Sequence, residues 1–244
     1  MSAFLAVFIR ELLILKRRLK RQVSGMAVSP LLYMLTFGYA LGGHLQMGEH
    51  SYLEFLLPGL VAMSSMTQAF SIASDINVAR FYFYIFEEIQ AAPTSRFSYV
   101  LGEICAGLTR VLLSVLVIIL LGLFFGVRLH YGPIFWLAVL LNGFTFAALA
   151  VAMAMLVKSH ADQSLLTNFI ITPMAFLGGT FFPLDSLPGW AQSILSILPL
   201  THAAAAIRAD ALGNVPQAGS LIVLVATSLI FLILAVYTVT KAKD

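Results

Sequence analysis

Charge is scarce in this chain. Of its 244 residues, 14 are Lys or Arg and 11 are Asp or Glu, which makes 10% charged against 60% hydrophobic. Soluble domains carry about a quarter charged residues, so a water-soluble fold lacks the polar surface to cover itself, and the solvent must be lipid. Cysteine is nearly absent as well. Cys105 stands alone inside an apolar run, which excludes an intramolecular disulfide framework and leaves the redox compartment unread. Enzyme signatures are missing: no G-x-x-x-x-G-K-[ST] phosphate loop, no H-E-x-x-H and no G-x-S-x-G occurs. The histidines (His44, His50, His130, His160 and His202) are scattered at loop edges without ligand spacing. Nor does the N-terminus read as a cleavable signal, because its basic cluster comes after the apolar residues. If such a chain does work, its energy comes from another chain.

What is present is long apolar runs. A bilayer core of about 30 Å needs roughly 20 apolar residues in a helix. Six stretches qualify: 25–43, 56–78, 98–126, 133–157, 164–182 and 219–240. The expectation is an all-α polytopic membrane protein with six transmembrane helices in a single domain, 1–244. Lys16, Arg17, Arg18, Lys20, Arg21, Arg80, Arg96, Lys158, Lys241 and Lys243 fall on one side of six crossings. The excess of basic loops on that side places both termini in the cytoplasm of a cell inner membrane.

Two segments lie outside the regular spans. Over residues 1–22, Phe4, Phe8, Leu12, Leu15 and Leu19 recur at helical spacing, with Arg10, Lys16, Arg17, Lys20 and Arg21 largely opposite. This predicts an amphipathic interfacial helix with its cations toward anionic lipid. The same residues serve equally as a positive-inside anchor. On the outer side, residues 178–213 are too apolar for an ordinary loop and too interrupted by Pro183, Pro188 and Pro199 for a full span. Two short helices, 187–198 and 200–212, with Asp185 or Ser186 as cap of the first, fit outer half-helices that dip into the membrane and return.

Polar residues inside the spans are the candidate working groups. Glu103 and Arg110 are seven residues apart and face the same way, at about 10 Å of axial rise. Ionisable groups at that depth are by default functional, although Glu103 near the inner end and an Arg110 paired to a neighbouring helix have an equally structural reading. Asp75 is similar. Ser64, Ser65, Thr67 and Gln68 on the second span, and Thr167 and Asn168 on the fifth, either line a path or hydrogen-bond helices together.

Two stretches carry a family resemblance. FEEIQAAPTSRFSYVLGEI, which begins at Phe86, resembles the loop between spans 2 and 3 of ABC-2-type transporter permeases. GGTFFPLDSLPGWAQSILSILPLTHAAAAIRADALG, which begins at Gly178, is similar to that family's segment before the last span. Their order, the six spans and the N-terminal helix match too, with the proportions of short bacterial permeases of drug, lipooligosaccharide and nodulation-factor exporters. The resemblance implies that loop 79–96 is a coupling helix docking on a cytoplasmic ATPase. There Phe83, Ile85, Phe86 and Ile89 bury against the partner, Glu87 and Glu88 pair with basic residues and set register, Pro93 ends the helix, and Arg96 opens the next span. It implies a homodimer with two copies of the ATPase, which binds ATP and Mg in place of this chain. The pathway then runs between spans 2 and 5 of the two copies past Ser64, Gln68, Glu103, Arg110, Thr167 and Asn168. An outer gate holds Pro183, Asp185, Pro199, His202 and Arg208. The sparse polar wall suits an amphipathic or lipid-linked substrate; membrane lipids are partners, and nucleic acid is not. An ion-coupled secondary transporter using Glu103, Arg110 or Asp75 and a non-transporting scaffold are the alternatives. No broken-helix repeat in both halves supports the former.

Overall fold

A computed structural model describes residues 3–40, 46–47, 50–92, 94–157 and 159–242. Among them the only strands are β1 (Gln46–Met47) and β2 (His50–Ser51), a two-residue antiparallel pairing in the outer loop. The rest is helix and connection. The helices are α1 (Ala3–Tyr33), α2 (Tyr52–Phe70), α3 (Ile72–Phe81), α4 (Ile85–Ala91), α5 (Arg96–Phe124), α6 (Pro133–Leu156), α7 (His160–Leu166), α8 (Thr172–Leu177), α9 (Gly189–Leu195), α10 (Pro199–Ala211) and α11 (Ala218–Lys241).

At the centre is α2, wedged against α5, α6 and α10, while α1 lies on α5 and α11 flanks α6. The interior contains Leu56, Leu57, Leu60, Met66, Phe135, Phe146, Leu200 and Ile207, all fully buried. Helices in lipid gain nothing by hiding apolar surface from tails that are equally apolar, so close approach and hydrogen bonds hold them together. Both are present. A Cβ on Gly102 of α5 would come within 2.8 Å of Val7 on α1, so the glycine lets the two backbones close up. Asn142 of α6 donates to Ala62 O at 3.0 Å and to Ser65 Oγ at 2.6 Å on α2, and the Thr145 and Ser228 hydroxyls join α6 to α11 at 2.7 Å.

Four helical stretches among the described residues are long and apolar enough to cross a membrane: Tyr52–Phe81 taken through the turn at Ser71, Arg96–Phe124, Pro133–Leu156 and Ala218–Lys241. A fifth arises if the bent pair α9–α10 counts as one span. Over the expected spans 25–43 and 164–182 the described chain is helical for most of the way but changes its winding. Met34–Ala40 and Thr167–Ile171 are π-helical. The second has a local cause. Pro173 has no N–H to donate, and just before it Thr172 N bonds five residues back, to Thr167 O. Widened turns of this kind recur at functional positions.

Two expectations about local structure are corrected. Helix α1 runs unbroken from Ala3 to Tyr33, so the interfacial segment and the start of the first expected span share one helix. Its buried stripe is Val7, Glu11 and Leu15, whereas Leu19 is exposed. The stripe is set by contact with α5, not by lipid. On the outer side Asp185 and Ser186 do not cap α9, which starts at Gly189 after Pro188. They sit in a 3-10 turn (Leu184–Ser186), where Ser186 Oγ donates to Pro183 O at 2.6 Å.

Candidate functional site

Between α1, α3 and α5 five charges interlock. Arg10 on α1 donates to its neighbour Glu11 at 2.6 Å and to Glu103 on α5 at 3.1 Å. Arg110, two turns along α5 from Glu103, reaches Glu11 at 3.7 Å and Asp75 on α3 at 2.5 Å. Glu11, Glu103 and Arg110 are buried. The sequence spacing left Glu103 and Arg110 too far apart to touch, and Glu11 fills that gap by meeting Arg10 with one oxygen and Arg110 with the other. Each charge here has an opposite partner, as burial demands. Sequence reasoning missed Arg10, assigned to the lipid-facing cations, and Glu11 altogether. The available signal was that Glu11 is the only acid in the first 22 residues.

Helix α3 starts beside this cluster with Asp75 in its first turn, and after it the chain turns through Tyr82, Phe83 and Tyr84, all exposed, with Tyr84 left-handed at φ 54°. Then α4 begins. Phe86 is buried within the chain, edge-on to Tyr99 at 5.6 Å, and the Arg80 guanidinium lies 5.5 Å above its ring. The expectation that Phe86 buries against a partner is therefore corrected: it anchors α4 to α5. Ile89 packs partly inward too. Phe83, Glu87, Glu88 and Arg96 remain exposed. Arg80 also donates to Met155 O at 2.9 Å, a cation set at the C-terminal end of α6, where the helix dipole favours it. Helix α4 ends at Ala91, with Thr94 Oγ1 donating back to Ile89 O at 2.8 Å; Pro93 lies outside the described residues. Ser95 caps α5, its Oγ accepting from Ser98 N at 3.2 Å. A cavity of about 220 Å3 between Phe86, Thr94, Arg96 and Tyr99 is closed by Val239 and Thr240 at the end of α11.

The mid-membrane residues divide into two groups. Ser64 is buried and hydrogen-bonds Ser114 of α5, so within the chain it ties helices together. Gln68 is only partly covered. With Thr67, Ser71, Ser74 and Asp75 it forms a polar stripe at helical spacing along α2 and α3. On α7 and the π turn, Thr167 donates to Gln163 O at 3.0 Å and is partly covered, whereas Asn168 is exposed beside Phe169 and Ile170. Helices α3 and α7 touch; Asn77 on the one and Gln163 on the other are both buried, and neither side-chain amide has a hydrogen-bond partner among the described residues.

The opposite end, where α10 meets the start of α2, is organised by Arg208. Its Nε donates to Phe55 O at 3.1 Å and its Nη2 to Gly179 O at 2.8 Å, while the guanidinium lies 3.9 Å over the Phe55 ring. A Cβ at Gly59 would collide with Thr180 O and come within 2.8 Å of Arg208 Nη2, so only glycine admits this approach. Tyr52 adds a hydrogen bond to Phe181 O at 2.8 Å. Pro199 opens α10, and the chain bends by 97° between α9 and α10. His202 Nε2 donates to Ser196 O at 2.7 Å across that bend. Asp210 accepts from Phe135 N at 3.1 Å and caps α6 behind Gly132 and Pro133. Pro183 precedes the 3-10 turn, and exposed Asp185 lines an outer cavity with Arg208.

Comparison with known proteins identifies the family. Residues 2–212 match the family model described as ABC-2 type transporter. The inner membrane transport permease YadH of Escherichia coli (strain K12) is 30% identical over 185 residues, covering 75% of this chain and 72% of the relative. Nodulation protein J of Rhizobium meliloti (strain 1021) is 31% identical over 214 residues, 86% of this chain and 82% of the relative. The daunorubicin resistance ABC transporter permease protein DrrB1 of Streptomyces coeruleorubidus is 25% identical over 195 residues, 77% and 67% respectively. The chain belongs to the ABC-2 type transporter family, as a membrane permease.

Proposed function

We propose that this ABC-2 permease is the membrane subunit of an inner-membrane exporter, working as a pair of identical copies driven by two separately encoded ATPase subunits. The observation that carries the reading is the build of α4. One face is fixed to the chain through Phe86 and Tyr99, and the other offers Glu87, Glu88 and Phe83 to a partner. A rigid seat with an exposed acidic face suits a lever that transmits a push and selects its partner by charge. Its push reaches the spans directly, since Phe86 sits on α5 and Arg80 ties the preceding helix to the end of α6. ATP and Mg bind the partner; this chain supplies the pathway. Both termini, α4 and the basic face of α1 are cytoplasmic in a six-span arrangement.

The polar stripe from Thr67 to Asp75 supports the pairing. A hydrogen-bonding stripe facing lipid is costly, so it faces the second copy and the pathway between them, opposite Asn168 and the π turn of the fifth span. The unpartnered amides of Asn77 and Gln163 support motion at the contact of α3 with α7, because separating them breaks no hydrogen bond. Glu103, Arg110 and Asp75 are engaged in ion pairs, which favours a structural latch over an ion carrier.

The test is the double substitution Glu87→Lys with Glu88→Lys. Both side chains are exposed, so the variant inserts and folds, and the expected result is loss of ATPase co-purification and of transport. Unchanged co-purification and turnover would remove α4 as the docking element.

A further inference from the structure

The outer cavity, about 490 Å3 in volume, lies between α10, the turn after α8 and the start of α11. It contains groups that the fold leaves unused. Thr201 lines it, is 4% exposed, and its hydroxyl has no hydrogen-bond partner among the described residues. A buried hydroxyl without a partner is costly, so the position is informative. Arg208 lines the same cavity. Its Nε and Nη2 are taken by backbone carbonyls, Nη1 hydrogen-bonds nothing among the described residues, and no carboxylate pairs with it there. At the exposed rim stands Asp185, likewise without an ion pair among the described residues. Gln217 and Ser220, at the start of α11, complete the wall with further donors and acceptors.

An inner cation with a free hydroxyl and an outer anion, lining one cavity yet not bonded to each other, match a ligand carrying both signs in the opposite order. We propose that this cavity holds the zwitterionic head of an amphipathic molecule. An acidic phosphate enters toward Arg208 Nη1 and the Thr201 hydroxyl, and an ammonium stays at Asp185. A lone anion would meet Asp185 on the way in, and a lone cation would meet Arg208 at the far end. The amphipathic nature of the ligand rests on the permease reading. Binding itself does not, and is measured without nucleotide or partner.

The experiment titrates the purified full chain in detergent with dihexanoyl phosphatidylethanolamine by calorimetry. The controls are dihexanoyl phosphatidylglycerol, which has the phosphate without the ammonium, and inorganic phosphate. Saturable binding of the ethanolamine lipid is expected at one per chain, stronger than either control. Thr201→Val, near-isosteric, should weaken it about tenfold by loss of one bond to a charged group. Asp185→Asn, at an exposed position, should weaken the ethanolamine lipid and leave the glycerol lipid unchanged or tighter. Equal binding of wild type and both variants would overturn the assignment. So would inorganic phosphate binding as tightly as the lipid, which would make this a simple anion site. A chain that binds the lipid as described but moves nothing across a membrane contradicts the permease reading and leaves this one standing.

Discussion

Arg110 and Arg208, at opposite ends of the molecule, are held in opposite ways, although Arg80, near the first of these ends, also rests on a backbone carbonyl, Met155 O. At the inner end Arg10 and Arg110 meet side-chain carboxylates from α1, α3 and α5, and Glu11 serves both at once. At the outer end Arg208 meets backbone carbonyls of Phe55 and Gly179 and the face of Phe55, while the nearby carboxylate, Asp210, is spent on the N-terminus of α6. Side chains on separate helices can exchange partners as the helices shift. Carbonyls cannot. On the proposed coupling, the carboxylate cluster is the part suited to rearrange and the Arg208 turn the part suited to stay clamped, so a push on α4 would find its give among α1, α3, α5 and α7.

The sharpest way to break that contrast is at Arg110. Arg110→Ala leaves Glu11 and Asp75 without it, and about 3–5 kcal/mol of stability should be lost, as when one partner of a buried pair is removed. Adding Glu11→Gln should recover part of this, because the surplus carboxylate goes. Thermal unfolding of the single and double variants checks it, and strict additivity would mean that the network is not one unit. Arg208→Met should cost somewhat less, about 2–3 kcal/mol, from stranded carbonyls. Neutralising Asp185 should bring no rescue; rescue would place a charge pair where the structure has a backbone clamp.

The contact between α3 and α7 sharpens the comparison from the other side. Asn77→Leu with Gln163→Leu removes two unpartnered amides, so the chain should be more stable by about 1–2 kcal/mol while transport slows. Faster transport would refute the idea that this contact opens. The smallest effect is expected at Asp210→Ala, about 1 kcal/mol for the lost cap of α6, with transport retained.

How much of this was legible in the sequence depends on the range of the interaction. The positions of the four long spans came from apolar run length, the bent outer pair from the prolines at Pro188 and Pro199, and α4 from the family resemblance of its loop. Glu103 and Arg110 stood out because ionisable groups in an apolar run are rare. Their true partners did not, because Glu11 lies far from both in sequence and reads locally as an ordinary helix residue. Phe86 looked like a docking residue because an aromatic side chain on a short polar helix has no address until Tyr99 is seen beneath it. Periodicity reports which face is apolar; it does not report which helix covers that face.

The most direct test concerns the polar stripe on α2 and α3, which this account turns toward a second copy. With Cys105→Ser as background, a single cysteine at position 68 should cross-link two chains in membranes that also contain the partner ATPase, and ATP should change the yield. A Gln68→Cys chain that remains monomeric under oxidation, while still transporting, would contradict the paired arrangement.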